Sequence, residues 1–346
     1  MVLKSKSLLY RNFGHPLKVV ELTTVDVKSD PEPGEVLVEW LASPINPVDM
    51  LRIMGAYIIK EKLPMIGGTE GVGRVVKVSQ GPGCKFQVGD HVTINSTKTL
   101  FWTEYAVLPE SDLIKIDKRI PVDLAATLMV NPTTAWIMIH NYTTLTKGDY
   151  IIQNSANSGV GRSVIEIAKA SGFKSINIVR NRENIEELKT ELWKLGGDHV
   201  FTEEEFAKTG RQFIRSLENR PKLAFNGVGG RSALQISSVL ENGGTCITYG
   251  GMSRKDCEFS TSDLIFKDIT VKGFSLVLWT TQPENASKWK NCVEKLQELA
   301  VDGKLTAIPM DKVKLEDFGK AIKATGAGKT LKQLFVIKDG AVNSKI

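Results

Sequence analysis

Two short stretches combine residue types at spacings that suit nucleotide chemistry. The first, Ser155-Ala-Asn-Ser-Gly-Val-Gly161, joins an apolar β-type run, Tyr150-Ile-Ile-Gln-Asn154, to a helical pattern from about Gly159 to Ser171. Glycine in such a turn lets backbone approach a pyrophosphate, and the helix start offers amide donors and the positive end of a dipole. Gly159 and Gly161 fit the G-x-G-x-x-G spacing, whereas Ala156 and Ser158 stand where earlier glycines would be. Asn157 and Ser158 add side chains able to bond phosphate.

The second stretch, Arg180-Asn-Arg182, follows the next β-type run, Ser175-Ile-Asn-Ile-Val179. An acid about 20 residues past the glycines would take the ribose hydroxyls of NAD. Guanidinium groups there instead suit a 2′-phosphate, each charge-assisted bond contributing roughly 1.5–3 kcal/mol. The pair favours NADPH. A glycine turn also serves packing alone, and a basic turn also serves solubility, so the surrounding elements matter.

Those elements alternate. After the first two runs come a helical stretch near Glu183–Leu195 and the β-type segments His199-Val-Phe201, Leu223-Ala-Phe225, Thr245-Cys-Ile-Thr-Tyr249 and Thr270-Val-Lys-Gly-Phe274. Short strands alternating with helices predict a doubly wound parallel sheet. The first 120 or so residues read differently, as strands such as Glu35–Trp40, Gly73–Val78 and His91–Ile94 separated by turns, Gly89-Asp90 among them. Met1–Tyr10 reads as a first strand and Leu124–Tyr142 as one long helix. The tail predicts a helix, a strand near Ile308, another helix and a last strand, Leu331–Lys338. A chain of 346 residues exceeds the usual single core. The expected division is a β-rich domain from 1–122 and 283–346, interrupted by a nucleotide domain at 123–282.

Several function classes are disfavoured. The net charge of +6 is not gathered into a basic stripe with interleaved aromatics, so nucleic acid is not an expected partner. No apolar run approaches the ~18 residues of a membrane span, and the N-terminus lacks a secretion core. The four cysteines and four histidines are scattered without zinc-ligand spacing, which fits free thiols in a reducing compartment.

Taken together, Ser43-Pro-Ile-Asn-Pro-Val-Asp49, Gly55-Ala-Tyr57, Gly67-Gly-Thr-Glu-Gly71, Val130-Asn-Pro132, Gln153–Gly161, Asn177–Arg182, Tyr249-Gly-Gly-Met252 and Leu264–Asp268 give nearly the whole chain a family likeness. It resembles the zinc-free medium-chain dehydrogenases/reductases, quinone oxidoreductase-like branch, and most closely the mitochondrial trans-2-enoyl-thioester reductases. The resemblance implies an α/β fold: a Rossmann doubly wound parallel sheet inserted in a GroES-like β-rich catalytic domain. It implies NADPH as cofactor, with Asn131 beside the nicotinamide ribose, Asn157, Ser158, Gly159 and Val160 at the pyrophosphate, and Arg180, Asn181 and Arg182 at the 2′-phosphate. Tyr249, Gly250, Gly251 and Met252, then Phe274, Ser275 and Leu276, and finally Lys332 complete the implied cofactor contacts. Many members carry Trp where Ser275 stands. Zinc-dependent relatives have Cys and Gly-His-Glu where this chain has Pro44-Ile-Asn46 and Gly68-Thr-Glu70, so no metal is expected.

The implied reaction reduces an enoyl thioester, with hydride to C3 and a proton to C2. The family's proton-donating tyrosine matches Tyr57, and Trp279 matches an aromatic of its substrate cleft. A phenol of ordinary pKa near 10 stays protonated at neutral pH and can donate once an enolate forms. The resemblance further implies acyl carrier protein as partner, a homodimer, and the mitochondrial matrix, although no transit peptide is visible. An NADPH quinone reductase of the same superfamily shares the Gly-x-Tyr and zinc-free features. Gly67–Gly71 and Tyr249–Met252 favour the enoyl reductase. A non-enzymatic NADPH-sensing regulator is a third reading, disfavoured by the retained Tyr57.

Overall fold

The computed structural model describes residues 2–59, 62–79, 83–95, 100–326 and 331–342, so Met1 of the expected first strand lies outside them. The chain divides into two compact units, residues 131–305 and residues 1–130 with 306–346.

The 131–305 unit is built on six strands: Tyr150–Gln153, Lys174–Val179, His199–Thr202, Leu223–Asn226, Thr245–Thr248 and Thr270–Gly273. Counted in chain order, they lie as 3-2-1-4-5-6, and every neighbouring pair is parallel. Ile151, Ile152, Ile176, Ile178, Leu223, Phe225 and Ile247 are fully buried. Such near-continuous apolar strands are what a sheet covered on both faces requires. The strand order reverses between strands one and four. Their carboxyl ends therefore border the crevice where ligands of such sheets bind.

The other unit carries a three-stranded sheet, Val20–Lys28, Val2–Tyr10 and Met65–Ile66, beside a seven-stranded one. In the larger sheet Glu35–Pro44 pairs antiparallel with Val72–Val78, with Tyr105–Pro109 and with the tail strand Lys332–Val336. The tail thus returns to the N-terminal sheet, with Phe335 opposite Ser43. Trp40 and Trp102 are fully buried, each against a phenylalanine ring, Phe101 and Phe335 respectively. The α/β class, a doubly wound parallel sheet with a separate β-rich unit, is the one the sequence predicts.

Two expectations need correction. Leu124–Tyr142 is two helices, Val122–Ala126 and Asn131–Asn141. Proline lacks an N–H and disfavours helical backbone in the residue before it, so Pro132 is accommodated in a first turn rather than mid-helix. Upstream, the Thr127 hydroxyl bonds the Asp123 and Leu124 carbonyls and helps close the first helix. The boundaries also move from 122/123 and 282/283 to 130/131 and 305/306. The helix Ala286–Val301 packs on Asn131–Asn141 and so stays with the parallel sheet.

Candidate active site

In the parallel-sheet unit the loop after the first strand is drawn tight. Ala156 is fully buried and its N–H donates to the Ile178 carbonyl at 3.2 Å, which ties the loop to strand two. Ser158 caps the helix Gly159–Ala170, its hydroxyl accepting from the Gly161 N–H at 3.1 Å. As an acceptor there, the hydroxyl keeps its own proton to give. A Cβ on Gly161 would sit 2.6 Å from the Ala156 Cα and carbonyl oxygen, so only glycine permits this helix–strand approach. A Cβ on Gly159 would sit 2.7 Å from the Asn131 amide nitrogen. Asn131, 28 residues upstream, is thereby placed against the loop. Arg162, on the first turns of the same helix, bonds the Asn157 carbonyl at 3.3 Å and Glu191 at 2.6 Å.

Strand two ends at Arg180-Asn-Arg182. The half-buried Arg182 has its pKa pulled down by burial first, then by the positive charges of Arg180 and Arg162. Its buried Nε–H has no hydrogen-bond partner among the described residues. Like charges held together with an unused donor form a site for an anion, and the adjoining glycine-floored loop suits a pyrophosphate. These residues fit NADPH.

Strands one and four close the crevice with two asparagines. The Asn154 amide nitrogen donates to Asn226 Oδ1 at 2.8 Å, and its Oδ1 accepts from the Gly227 N–H at 2.8 Å. Tyr249, at the end of strand five, donates its N–H to the Asn226 carbonyl at 3.0 Å, and Met252 donates to that of Gly227 at 3.1 Å. The segment Tyr249–Met252 therefore lies along the same carboxyl edge as the glycine loop. The Tyr249 hydroxyl is buried, and burial pushes its pKa up to about 12 against the opposing pull of the Ser158 hydroxyl. After strand six, Phe274 is buried edge-on to Tyr142, and Ser275 caps the short helix Leu276–Thr280. Trp279 is 9% exposed and its carbonyl accepts from Asn285.

The β-rich unit brings together a second set. Lys332, whose side chain is 11% exposed, donates its ammonium to Asn46 Oδ1 and lies 3.8 Å from Glu70 Oε1. The Asn46 amide nitrogen donates to Glu70 Oε1 at 2.9 Å, and Glu70 Oε2 accepts from the Val130 N–H at 3.0 Å. Asp49 accepts from the Asn46 N–H at 2.6 Å. Burial pushes Glu70 up to about 7 and Asp49 up to about 6, and it pulls Lys332 down. Asn46 and Glu70 belong to the two segments, Pro44-Ile-Asn46 and Gly68-Thr-Glu70, that lack the Cys and His of zinc-dependent relatives. Both face the ammonium of Lys332. Among the described residues no three or more His, Cys, Asp or Glu side chains are grouped to hold a metal. Tyr57 is half-buried, with the Arg52 guanidinium 5.3 Å from its ring centroid.

Comparison with known proteins follows this geometry. The alcohol dehydrogenase GroES-like domain matches residues 32–118 and the zinc-binding dehydrogenase family residues 159–298. A Caenorhabditis elegans protein named mitochondrial enoyl-[acyl-carrier-protein] reductase is 62% identical over 344 residues, 99% of each chain. This chain belongs to the mitochondrial enoyl-[acyl-carrier-protein] reductase family. Solved structures agree. The mitochondrial 2-enoyl thioester reductase Etr1p/Etr2p heterodimer from Candida tropicalis matches with a TM-score of 0.90 and 29% identity, over 97% of this chain and 100% of that one. The Etr1p/NADP/crotonyl-CoA complex matches at a TM-score of 0.88, also 29% identical, over the same shares.

For this reductase the structure gathers Asn131, Asn157–Val160, Arg180–Arg182 and Tyr249–Met252 at one sheet edge, while Tyr57 and Lys332 lie in the other unit. Sequence reading missed Asn154, Arg162 and Asn226, and in the β-rich unit Asn46, Asp49, Arg52 and Glu70. Polar residues ending apolar strands were the available signal for Asn154 and Asn226. An arginine just after the glycines was the signal for Arg162.

Proposed function

We propose that this chain reduces trans-2-enoyl thioesters to saturated acyl thioesters with NADPH, as its relatives' names describe. The observation that carries the reading is the arginine group at the end of strand two, an anion site beside a glycine-floored loop. Arg180, Asn181, Arg182 and the adjoining Arg162 hold the 2′-phosphate. Asn157, Ser158, Gly159 and Val160 hold the pyrophosphate, and Asn131 adjoins them. NADPH, when bound, supplies the hydride that goes to C3. Tyr57 gives its phenolic proton to C2, and the Lys332–Glu70–Asn46 cluster shapes the unit that carries it.

The acyl group rides on acyl carrier protein or coenzyme A, in the mitochondrion. Carrier protein is acidic, so the basic balance of +6 assists the encounter. The turnover rate kcat/KM with carrier-bound substrate is expected to fall more steeply with salt than with an N-acetylcysteamine thioester; equal slopes would remove the carrier. A homodimer would form along Thr270–Gly273, the terminal strand of the parallel sheet, where Ile265, Phe266 and Val271 are exposed.

The deciding assay follows NADPH oxidation with crotonyl, hexenoyl and decenoyl thioesters beside a quinone. Faster turnover of the quinone would transfer the site to the quinone reductases. Tyr57→Phe tests the donor. Its kcat is expected to fall roughly 10²–10⁴-fold, the usual contribution of a positioned acid, with NADPH affinity by fluorescence titration unchanged. Near-normal kcat would give the role to water, and lost affinity would make Tyr57 a cofactor contact.

A further inference from the structure

Arg52 is 3% exposed in the last turn of the helix Pro47–Ile53, and the chemistry above does not use it. Burying a guanidinium is costly unless something compensates its charge. Asp49 and Tyr57 are among the groups that do so. Asp49, one turn back, is coupled to it electrostatically, and the ring of Tyr57 lies under it at 5.3 Å.

The local chain imposes this placement. Pro47 and the Asp49 carboxylate, which accepts from the Asn46 N–H, fix the helix start. At the other end Gly55 adopts a φ of +69°, its N–H donating to the Arg52 carbonyl at 2.9 Å while Ala56 donates to that of Leu51 at 2.9 Å. This reversal folds Gly55-Ala-Tyr57 back over the last helical turn. A Cβ on Gly55 would sit 2.9 Å from Phe13 Cγ, so the reversal is also packed from outside. A buried cation fixed on a helix thus faces the ring of the proposed donor.

We propose that Arg52 is the positioning residue of the proton donor. It pins the Tyr57 ring through a cation–π contact. It also favours the phenolate left when the Tyr57 O–H bond breaks and the enolate electron pair takes the proton at C2; solvent water then returns a proton to the phenolate. The inference rests on Tyr57 being the donor.

A double-mutant cycle tests it. Arg52→Met keeps the length and apolar stem of the side chain and removes the charge. It is expected to lower kcat about 2- to 30-fold, the span of a cation–π contact from exposed to desolvated, while KM for the thioester and NADPH affinity stay within about 2-fold. Arg52→Lys is expected to restore part of the loss. In the Tyr57→Phe background Arg52→Met should change kcat no further. An equal loss in both backgrounds, or an unchanged kcat in the single variant, overturns the inference. A normal kcat in Tyr57→Phe alone overturns the donor assignment itself. Where Arg52→Met yields no folded protein, Arg52→Lys carries the same cycle, with a kcat loss expected beside Tyr57 and none beside Phe.

Discussion

The two charged clusters of this chain are built differently. In the β-rich unit Lys332 and Arg52 are matched by Glu70 and Asp49, and Asn46 bridges the lysine to Glu70. In the parallel-sheet unit Arg182 is repelled by Arg180 and by Arg162, while Glu191 pairs with Arg162 at 2.6 Å. The first cluster is internally neutral and buried, so its energetics belong mainly to folding, the contact of Arg52 with the Tyr57 ring apart. The second carries surplus charge, so its energetics belong to a ligand. Charge balance separates a structural cluster from a binding one more sharply than residue type does, since cations and partners of both kinds occur in each.

Removing a cation from the balanced cluster should have the larger effect. Lys332→Met leaves the buried Glu70 carboxylate without its counter-charge and weakens that of Asp49, and a loss of about 3–5 kcal/mol of stability is expected at pH 8. The pH dependence has a definite sign. Burial raises Asp49 to about 6 and Glu70 to about 7, above their ordinary values of 3.8 and 4.5. The folded chain therefore holds more protons than the unfolded one across this window, and the contribution of both groups to stability falls as pH rises through it. Lysine opposes that fall. The Lys332→Met deficit should open as pH rises through about 6 and 7 and vanish toward pH 4, where both carboxyls are neutral; a pH-independent deficit in thermal melts would break the comparison.

The surplus cluster should respond the opposite way. Arg180→Ala is expected to raise the NADPH KM by about 10- to 150-fold, the equivalent of one charge-assisted bond, and to leave NADH nearly unaffected. Melting temperature should hold or rise, because repulsion on Arg182 is relieved. Equal changes with both cofactors would show that the arginines do not read the 2′-phosphate. The smallest effect is expected at Ser158→Ala, which removes a helix cap worth about 1 kcal/mol. A lower melting temperature with unchanged NADPH affinity would confine that hydroxyl to capping; weaker affinity would add it to the phosphate cradle.

Local pattern made much of this legible. The six strands, the glycine turn and Arg180-Asn-Arg182 could be read from sequence because each depends on a few consecutive residues and a known periodicity. Residues whose meaning lies in distant partners were less legible. Lys332 could be ranked as a cofactor contact by resemblance, but its ion-pair partner Glu70 is 262 residues away in sequence, on the loop before Val72–Val78, and meets it only after the tail has folded back. Nothing in the local pattern around Arg52 singles it out, because its meaning lies in the Tyr57 ring packed against it. Leu124–Tyr142 misled in the other direction, because apolar periodicity runs straight across the break that Pro132 and Thr127 make.

The sequence by itself determined the six strands of the parallel sheet, the fold class and the preference for a phosphorylated dinucleotide, because strand periodicity, glycine backbone freedom and guanidinium charge are properties of short segments. Tertiary structure decided which charges are spent inside the protein. Burial strips water from Lys332, Glu70, Asp49 and Arg52 and makes each depend on its neighbours, whereas Arg182 stays under the repulsion of Arg180 and Arg162. Desolvation and pairing depend on what the folded chain packs around a group, and a residue's own identity does not state them.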